Sequence, residues 1–439
     1  MIKRFILFIA SALVVLGCSE NRTDYLKVYN WSSYIDETLI DEFEQWYKEQ
    51  TGESVEVIYQ TFDINETMLS KIEKGKEDYD VVCPSDYIIE RMLQHDLLLP
   101  IDKDFGDTPN YIDSNIAPYI RDRFNEMVGN GKNANDYAVG YMWGTTGFLY
   151  NAAYVDSADV SSWKAIHNPK YADKIIIKDS PRDIYSQIIT YVRQDDLKAG
   201  KVTLDELMHF TTDEDLLAVE EFMKEAKKLV AGWEADFGKE QMIQERAWIN
   251  LTWSGDAVWA IEEGKDMGVD LRYSTPKEGF TVWFDGWVIP KYAGNTKAAK
   301  YWINFMSRPD VVIRNVDVTG YVSCSGAQEV LEAFIDESLP EIDLSYFFGP
   351  EASAVSVDPV LYPDASDIAR SAMEHDWGDN THKLIEMWAR VKGSNADTTT
   401  VVVISVFFSG LIGFALYRKI SQYRKYARRR ARRRKAGKR

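Results

Sequence analysis

Hydrophobic and polar positions follow strand and helix periods in turn along the first hundred residues. The segment "YLKVYNW" from Tyr25 predicts a strand, and Leu39, Phe43 and Trp46 then recur at helical spacing up to Gly52. Two more strands are predicted at "SVEVIY" and "YDVVC", with an apolar helical stretch between them. Strands that alternate with helices in this way predict a largely parallel sheet covered by helices.

The same order recurs later in the chain. The segment "KIIIKD" precedes a predicted helix at 183–193, "WINLTW" precedes one at 256–263, and "TVWFDGWVIP" precedes one at 296–306. The pattern therefore predicts an α/β protein. Because open parallel sheets bind ligands beyond the carboxyl ends of their strands, the residues at those ends are candidates for a binding site.

The start of the chain has the pattern of an export signal. Two basic residues precede an apolar run over residues 5–16, and the segment "VLGC" that follows resembles a bacterial lipobox. Residues 1–17 are therefore predicted to be a lipoprotein-type signal peptide and Cys18 its lipidation site. The alternative is a plain signal anchor with an incidental cysteine. The spacing of Cys83 and Cys324 does not determine whether these two cysteines pair.

A second uncharged apolar run, residues 398–417, lies near the other end. Twenty residues at about 1.5 Å each reach the roughly 30 Å of a bilayer core, which predicts a transmembrane helix. The alternative, a buried core helix, fits poorly with the basic segment 418–439 directly after it. By the positive-inside rule that tail is cytoplasmic and the preceding body lies on the outer face of the membrane. Anionic lipid headgroups are the simplest partner of such a tail.

Composition sharpens this division. The 439 residues are 45% hydrophobic and 27% charged, which is typical of a globular protein of two or three domains. Segment 418–439 holds 13 of the 51 Lys and Arg residues and no acid, which leaves 69 Asp and Glu against 38 Lys and Arg in the rest of the chain. A body this acidic repels nucleic acids and attracts cations.

Aromatic and acidic residues gather where the predicted strands end. Lys and Arg are scarce there, and Arg182 is the exception. The candidates are Trp31, Ser32, Tyr34, Ser85, Tyr87, Asp179, Asp183, Trp253, Asp256, Trp283 and Asp285. Singly, each has a simpler explanation as a core or rim aromatic, a helix cap or a turn residue. Together they suit an organic cation with apolar spacers, because a ring face attracts ammonium groups and packs on methylenes. A sugar site would contain more Asn, Gln, Arg and Lys.

Asp285 stands between two tryptophans in the apolar segment "TVWFDGWVIP". If the strand is regular, Trp283, Asp285 and Trp287 share one face and Phe284 lies on the other. An unpaired buried carboxylate is costly, so we expect a ligand to supply its cation. The alternative is that Asp285 only caps or braces the strand.

The sequence carries no motif of the enzyme classes that are recognisable from short patterns. The five histidines lack the H-E-x-x-H spacing, and neither a G-x-S-x-G elbow nor a G-x-x-x-x-G-K phosphate loop occurs. Paired acids for glycoside hydrolysis are an alternative that the sequence leaves open. Rings and acids without an apparent base suit binding better, and we therefore predict a binding protein without catalytic residues, metal or cofactor.

Nine segments in order carry a resemblance to the spermidine/putrescine-binding proteins of bacterial polyamine ABC transporters. They are "VYNWSSYI", "ETMLSKI", "YDVVCPSDY", "LLLPID", "WGTTGFLYN", "TWSGDA", "WFDGWVIP", "SRPDV" and "TGY". The resemblance covers residues 25–395 and implies a periplasmic-binding-protein fold, with two α/β lobes that close on a ligand in a central cleft about a hinge. The implied boundaries are 25–139 with 284–330 for lobe 1, and 140–283 with 331–395 for lobe 2.

The resemblance implies an extracytoplasmic receptor that captures polyamines and presents them to a membrane permease. The alternative is a membrane-anchored polyamine or organic-cation sensor without a transport role, which the predicted transmembrane helix suggests. The resemblance also adds Tyr321 to the ligand-binding residues.

This chain departs from the family pattern at two positions and matches one branch of the family at each of two others. Ser33 and Ser180 stand where the family has acids, whereas Asp256 is typical of the putrescine-binding branch and Asp183 of the spermidine binders. Glu374 falls near a glutamine of the spermidine binders. The choice between spermidine and putrescine therefore stays open.

Overall fold

The computed structural model describes residues 21–235 and 237–393. The described residues up to Trp388 belong to one compact unit, and of a second unit, Ala389–Arg439, the structure describes only 389–393 at the end of the last helix. The predicted signal peptide with Cys18, the transmembrane helix at 398–417 and the basic tail lie outside the described residues. Within the described part of the chain, no helix combines the length and apolar character needed to cross a bilayer.

The strands are numbered in chain order. They are β1 Tyr25–Trp31, β2 Glu56–Phe62, β3 Val81–Val82, β4 Leu98–Leu99, β5 Val128–Gly129, β6 Lys132–Asn133, β7 Ala138–Asn151, β8 Ile175–Lys178, β9 Val230–Glu234, β10 Ile249–Trp253, β11 Leu271–Ser274, β12 Phe280–Pro290, β13 Val322–Ser323, β14 Glu341–Ile342, β15 Val355–Ser356 and β16 Ser371–Met373.

The α-helices are numbered in the same way. They are α1 Thr38–Thr51, α2 Asn65–Glu73, α3 Asp86–Gln94, α4 Tyr111–Asn115, α5 Pro118–Glu126, α6 Pro181–Val192, α7 Gln194–Lys198, α8 Leu204–Met208, α9 Asp213–Ala226, α10 Gly238–Ile243, α11 Ser254–Met267, α12 Thr296–Met306, α13 Pro309–Thr319, α14 Gln328–Ala333, α15 Ser345–Phe348, α16 Ala365–Ile368 and α17 Thr381–Lys392. Short 3-10 helices occur at Arg22–Asp24, Ala134–Asp136, Trp163–His167, Pro169–Tyr171, Pro350–Ala352 and Gly378–Asn380.

Local signals place these helices close to their predicted positions. The predicted helices at 183–193, 256–263 and 296–306 correspond to α6, α11 and α12. Ser180 caps α6 by accepting a hydrogen bond from the backbone N–H of Asp183, and Pro181 occupies the first turn, where its missing N–H costs nothing. Gly52 ends α1 in the left-handed conformation at φ 74°, as its position in the sequence predicted.

The main sheet has the order β2-β1-β3-β12-β7-β10-β8-β9. β1 pairs in parallel with β2 and β3, and β8 pairs in parallel with β9 and β10. Between these two parallel groups, β7 and β12 pair antiparallel to each other, and each is antiparallel to its outer neighbour. The prediction of a largely parallel sheet is therefore wrong at its centre, because two long strands run back through the sheet there and join the two groups.

The central strand β12 is buried along its whole length and separates two parts of the hydrophobic core. Phe284 and Val288 pack into one cluster, and Trp283 and Trp287 pack into the other. The predicted two-faced alternation of this strand is thus confirmed. Its pairing with β7 shifts by one residue between Asp285 and Gly286. The extra residue of this bulge lies in β7, so β12 itself stays regular.

The fold answers one further sequence question and leaves another open. Cys83 and Cys324 are both buried and free, so they form no disulfide. The lobe boundaries that the resemblance implied are not tested by the division at Trp388, and they stay predictions.

Candidate ligand-binding site

Asp285 is a buried carboxylate held only by hydroxyl groups. It lies in the middle of β12 rather than at a strand end, and its residue is 5% exposed. The hydroxyl of Tyr34 donates to Oδ2 at 2.8 Å, and the hydroxyl of Ser85 donates to Oδ1 at 2.6 Å. Among the described residues, no cationic side chain forms an ion pair with it.

This environment disfavours the charged form of Asp285. Burial raises the pKa of Asp285 to about 7, and the negative charge of Asp183 acts in the same direction, whereas the two hydroxyl hydrogen bonds lower it. A carboxylate in this state gains most from a cation brought to it, because that cation removes the desolvation penalty of the charge.

Aromatic rings extend from this carboxylate in a continuous row. The ring centroid of Tyr34 lies 5.0 Å from that of Tyr321, Tyr321 lies 5.6 Å from Trp283, and Trp283 lies 6.5 Å from Trp253. Each pair meets edge to face. These rings come from four segments far apart in the sequence, and they form one apolar wall.

Asp183 is the acid at the other end of the row. The indole N–H of Trp253 donates to Oδ1 of Asp183 at 3.1 Å, and the hydroxyl of Thr146 donates to the same oxygen at 3.4 Å. Burial raises the pKa of Asp183. Like Asp285, Asp183 makes no ion pair with any residue that the structure describes.

The loop after β3 joins the site through a polar side chain that sequence reasoning missed. The Asn65 amide donates to the Ser85 hydroxyl at 3.0 Å and to the Tyr87 hydroxyl at 3.2 Å, so it orients both residues beside Asp285. Asn65 is the first residue of α2, with Ile64 at the N-cap, and a polar residue at a helix start carries no sign of a role in binding.

Arg182 and Glu374 complete the acidic end. The guanidinium of Arg182 lies 4.7 Å from the ring centroids of both Tyr87 and Trp377, which holds it between two aromatic faces. Glu374 is buried, and among the described residues its Oε1 has no hydrogen-bond partner. Burial, together with the charge of Asp183, keeps the pKa of Glu374 well above its ordinary value. Glu374 therefore adds a second carboxyl group near Asp183.

Asp256 differs from these acids because it already has cationic partners. Its Oδ2 lies 2.7 Å from Nζ of the buried Lys178, its Oδ1 lies 3.5 Å from Nζ of Lys239, and Tyr321 donates to it at 2.9 Å. Burial alone would raise the pKa of Asp256, but the two lysines hold it below its ordinary value. The structure thus places Asp256 in an internal ion pair. Tyr321, which donates to Asp256, connects this pair to the aromatic row.

We expect Asp256→Asn to lower the free energy of unfolding by about 3 kcal/mol, because Lys178 is buried and would keep Glu234, at 3.3 Å, as its one charged partner among the described residues. Urea unfolding measures this loss. The matched control is Asp270→Asn, which breaks an exposed pair with Arg272 and should cost less than about 1 kcal/mol. Unchanged stability with a ligand affinity reduced more than tenfold would instead place Asp256 among the direct ligand contacts.

Three predicted residues make hydrogen bonds or ring contacts with other neighbours. Trp31 packs against Phe62 with ring centroids 4.6 Å apart, and the hydroxyl of Ser32 donates to Asp63 at 2.9 Å. Asp179 accepts a hydrogen bond from the indole N–H of Trp388 at 2.8 Å. The other nine, Tyr34, Ser85, Tyr87, Asp183, Trp253, Asp256, Trp283, Asp285 and Tyr321, are linked through the contacts described above.

The site therefore offers two buried carboxylates, at opposite ends of an aromatic wall, that lack a cation from the described chain. Such an arrangement binds an elongated organic molecule with a positive charge at each end and an apolar middle.

Comparison with known proteins identifies the family. Residues 38–331, well over half of the chain, match the model of the bacterial extracellular solute-binding protein family. The chain belongs to this family. The predicted resemblance to substrate-binding proteins is confirmed, and the family description names the binding of a solute outside the cell.

Curated relatives cover almost the whole chain. The spermidine/putrescine-binding periplasmic protein of Salmonella typhimurium is 28% identical over 392 residues, which cover 88% of this chain and 97% of that protein. The putrescine-binding periplasmic protein SpuD of Pseudomonas aeruginosa is 26% identical over 410 residues, 89% of this chain and 99% of the relative.

A solved structure supports the same fold. The spermidine/putrescine ABC transporter substrate-binding protein PotD of Streptococcus pneumoniae is 27% identical, with a TM-score of 0.61, over 84% of this chain and 98% of that chain. The α/β fold of periplasmic binding proteins, which the sequence resemblance implied, is therefore confirmed.

Proposed function

We propose that this solute-binding protein captures polyamines outside the cytoplasm and delivers them to the permease of an ABC transporter. The observation that carries the proposal is that Asp285 and Asp183 are buried without an ion-pair partner in the described chain, at the two ends of one row of aromatic rings. The names of the relatives, which bind spermidine or putrescine, support it independently.

In this proposal one ammonium group of the ligand lies against Asp285, where Tyr34 and Ser85 already orient the carboxylate. The methylenes pack on Trp283 and its neighbouring rings, and a second ammonium group lies against Asp183. Glu374 is placed to meet an amine at the same end. A site of this kind uses the charge at both ends, so binding depends on two ammonium groups rather than one.

Isothermal titration calorimetry of the purified protein tests this dependence. We expect spermidine and putrescine to bind, whereas butylamine, which has the four carbons of putrescine and a single ammonium group, should bind at least tenfold more weakly. Equal binding of butylamine and putrescine would contradict the two-carboxylate site. Recovery of the polyamine unchanged after prolonged incubation excludes an enzymatic role.

Transport is tested separately from binding. Deletion of the gene should abolish high-affinity uptake of labelled polyamine into intact cells, and expression of the protein should restore it. Uptake that is unaffected by the deletion, in a protein that nevertheless binds polyamines, would favour the alternative of a membrane-anchored sensor.

We also propose that lipid at Cys18 and a transmembrane helix at 398–417 hold the acidic body on the outer face of the membrane, with the basic tail 418–439 inside. Protease added to intact spheroplasts should then remove the body and leave a tag placed after Arg439 protected. Lysed spheroplasts, in which the tag should be digested, are the control. Digestion of the tag in intact spheroplasts would contradict the orientation.

A further inference from the structure

We propose that Asp205, His209 and His375 form a binding site for a divalent transition-metal ion of the Zn²⁺ class. One ligand atom from each of the three residues lies within 4.8 Å of the others. Asp205 is part of α8, and His209 is the first residue after that helix. His375 lies just after β16. Two imidazoles and a carboxylate are a donor set that suits Zn²⁺ and leaves a fourth position for water. The inference does not rest on the proposed polyamine function.

His375 has the surroundings of a metal-binding histidine. Its ring is buried, and its Nδ1 lies 2.8 Å from Oε1 of Glu90. Its Nε2 faces the cluster, 3.3 Å from Oδ1 of Asp205. A carboxylate on the far nitrogen fixes the tautomer and orientation of a metal-ligating imidazole, and this is the usual outer partner in zinc sites. The other oxygen of Glu90 accepts from the backbone N–H of Asp376 at 2.8 Å, so the carboxylate itself is held in place.

The second imidazole must move for both rings to reach one ion. The rings of His209 and His375 are stacked, with centroids 4.2 Å apart and an interplanar angle of 14°. A metal–nitrogen bond lies in the plane of its imidazole, and two nearly parallel planes do not meet at one ion. His209 is the exposed member, and its rotation gives up the ring stacking and the contact from Nδ1 to the backbone oxygen of Asp205 at 3.1 Å. His375 stays fixed by Glu90.

The charges of the cluster favour a divalent cation. Asp205 and Glu90 carry two negative charges next to two imidazoles, so one divalent ion would balance them. No local sequence pattern marks this site, because 165 residues lie between His209 and His375.

Titration of the chelator-stripped full-length protein with ZnCl₂ tests the proposal by calorimetry, with CoCl₂ and visible absorption as a second probe of coordination. We expect one ion per chain. Glu90→Gln should weaken Zn²⁺ binding about 10- to 100-fold, as outer-partner substitutions do, and His209→Ala and Asp205→Asn should weaken it at least as much. Because His209 and Asp205 are exposed, these two variants should fold like the parent protein.

The matched control is His95→Ala, since His95 is an exposed histidine that also contacts a carboxylate, Glu73, at 2.6 Å but belongs to no three-residue cluster among the described residues. It should leave Zn²⁺ affinity unchanged. Spermidine affinity should be the same in His209→Ala and the parent, which separates this site from the polyamine site. The proposal is overturned if neither metal binds, or if His209→Ala and Asp205→Asn bind Zn²⁺ as tightly as the parent.

Discussion

Asp285→Asn is expected to weaken polyamine binding by roughly 10² to 10³ or more at pH 8, because the substitution leaves an ammonium group buried without its counter-ion, at a cost of about 3 to 5 kcal/mol. Asparagine keeps the shape of the side chain, and its carbonyl oxygen can accept from one of the two hydroxyls, Tyr34 or Ser85, while its amide donates to the other. The loss therefore reports mainly the removal of the charge. Calorimetric titration with putrescine measures it.

The same variant should be as stable as the parent in the absence of ligand, or more stable. The folded-state pKa of Asp285, about 7, is raised above its ordinary value of 3.8, so the folded protein binds the proton more tightly than the unfolded chain. Stability is therefore lost as the pH rises from about 4 to about 7, by a few kcal/mol in total. Asparagine does not ionise, so the variant should be more stable than the parent at pH 8, and this difference in stability should be absent below pH 4.

The surface variant Asp270→Asn serves as the control for removal of one negative charge, and neither its affinity nor its melting temperature should change appreciably. If Asp285 only braced the strand, the result would be reversed. Affinity within about threefold of the parent, combined with a lowered melting temperature, would refute the assignment of Asp285 as a ligand carboxylate.

Polyamine affinity is expected to fall steeply below pH 7. Because the pKa of Asp285 is about 7 in the free protein, the carboxylate is largely protonated below that pH and must lose its proton to pair with an ammonium group. Each pH unit below the pKa of Asp285 raises the dissociation constant about tenfold. The dissociation constant should therefore rise about tenfold at pH 6 and about a hundredfold at pH 5 relative to pH 8. The amines of the ligand, with pKa values of about 10, stay charged throughout.

Other acids face the same ligand and must be separated from Asp285. Burial raises the pKa values of Asp183 and Glu374 as well, so their protonation adds to the loss at the acidic end of the range. The pH profile of Asp285→Asn isolates the contribution of Asp285 and should be flatter than that of the parent between pH 8 and pH 6. Titrations in buffers of different ionisation enthalpy should detect proton release on binding at pH 7. Parallel profiles of the two proteins would contradict the linkage.

The ion pair of Asp256 shows what sequence reasoning missed at the candidate site. Asp256 matched a family position and looked like a free acid, but Lys178, at the end of β8, reaches it from a different element. The prediction of no metal-ligating residues relied on spacing along the chain, and the metal site proposed above would revise it. Neither a lysine from another strand nor a histidine far away in sequence leaves a local pattern.

The sequence by itself determined the local elements and the chemistry that they carry. The period of apolar residues placed the helix at 296–306, Gly52 marked the end of α1, and the alternation in "TVWFDGWVIP" placed Trp283 and Asp285 on one face. These features follow from backbone geometry over a few residues. The kind of ligand could also be inferred, because rings and carboxylates recur directly after several predicted strands.

Only the tertiary structure decided which of these residues meet. The direction of β7 and β12 depends on hydrogen bonds between strands more than a hundred residues apart, and local periodicity is the same for parallel and antiparallel pairs. The tertiary structure also decides which acidic side chains meet a cationic one. Asp285 and Asp256 are both buried acids beside aromatic rings, but only Asp256 packs against lysines, so Asp285 is left for a cation from outside.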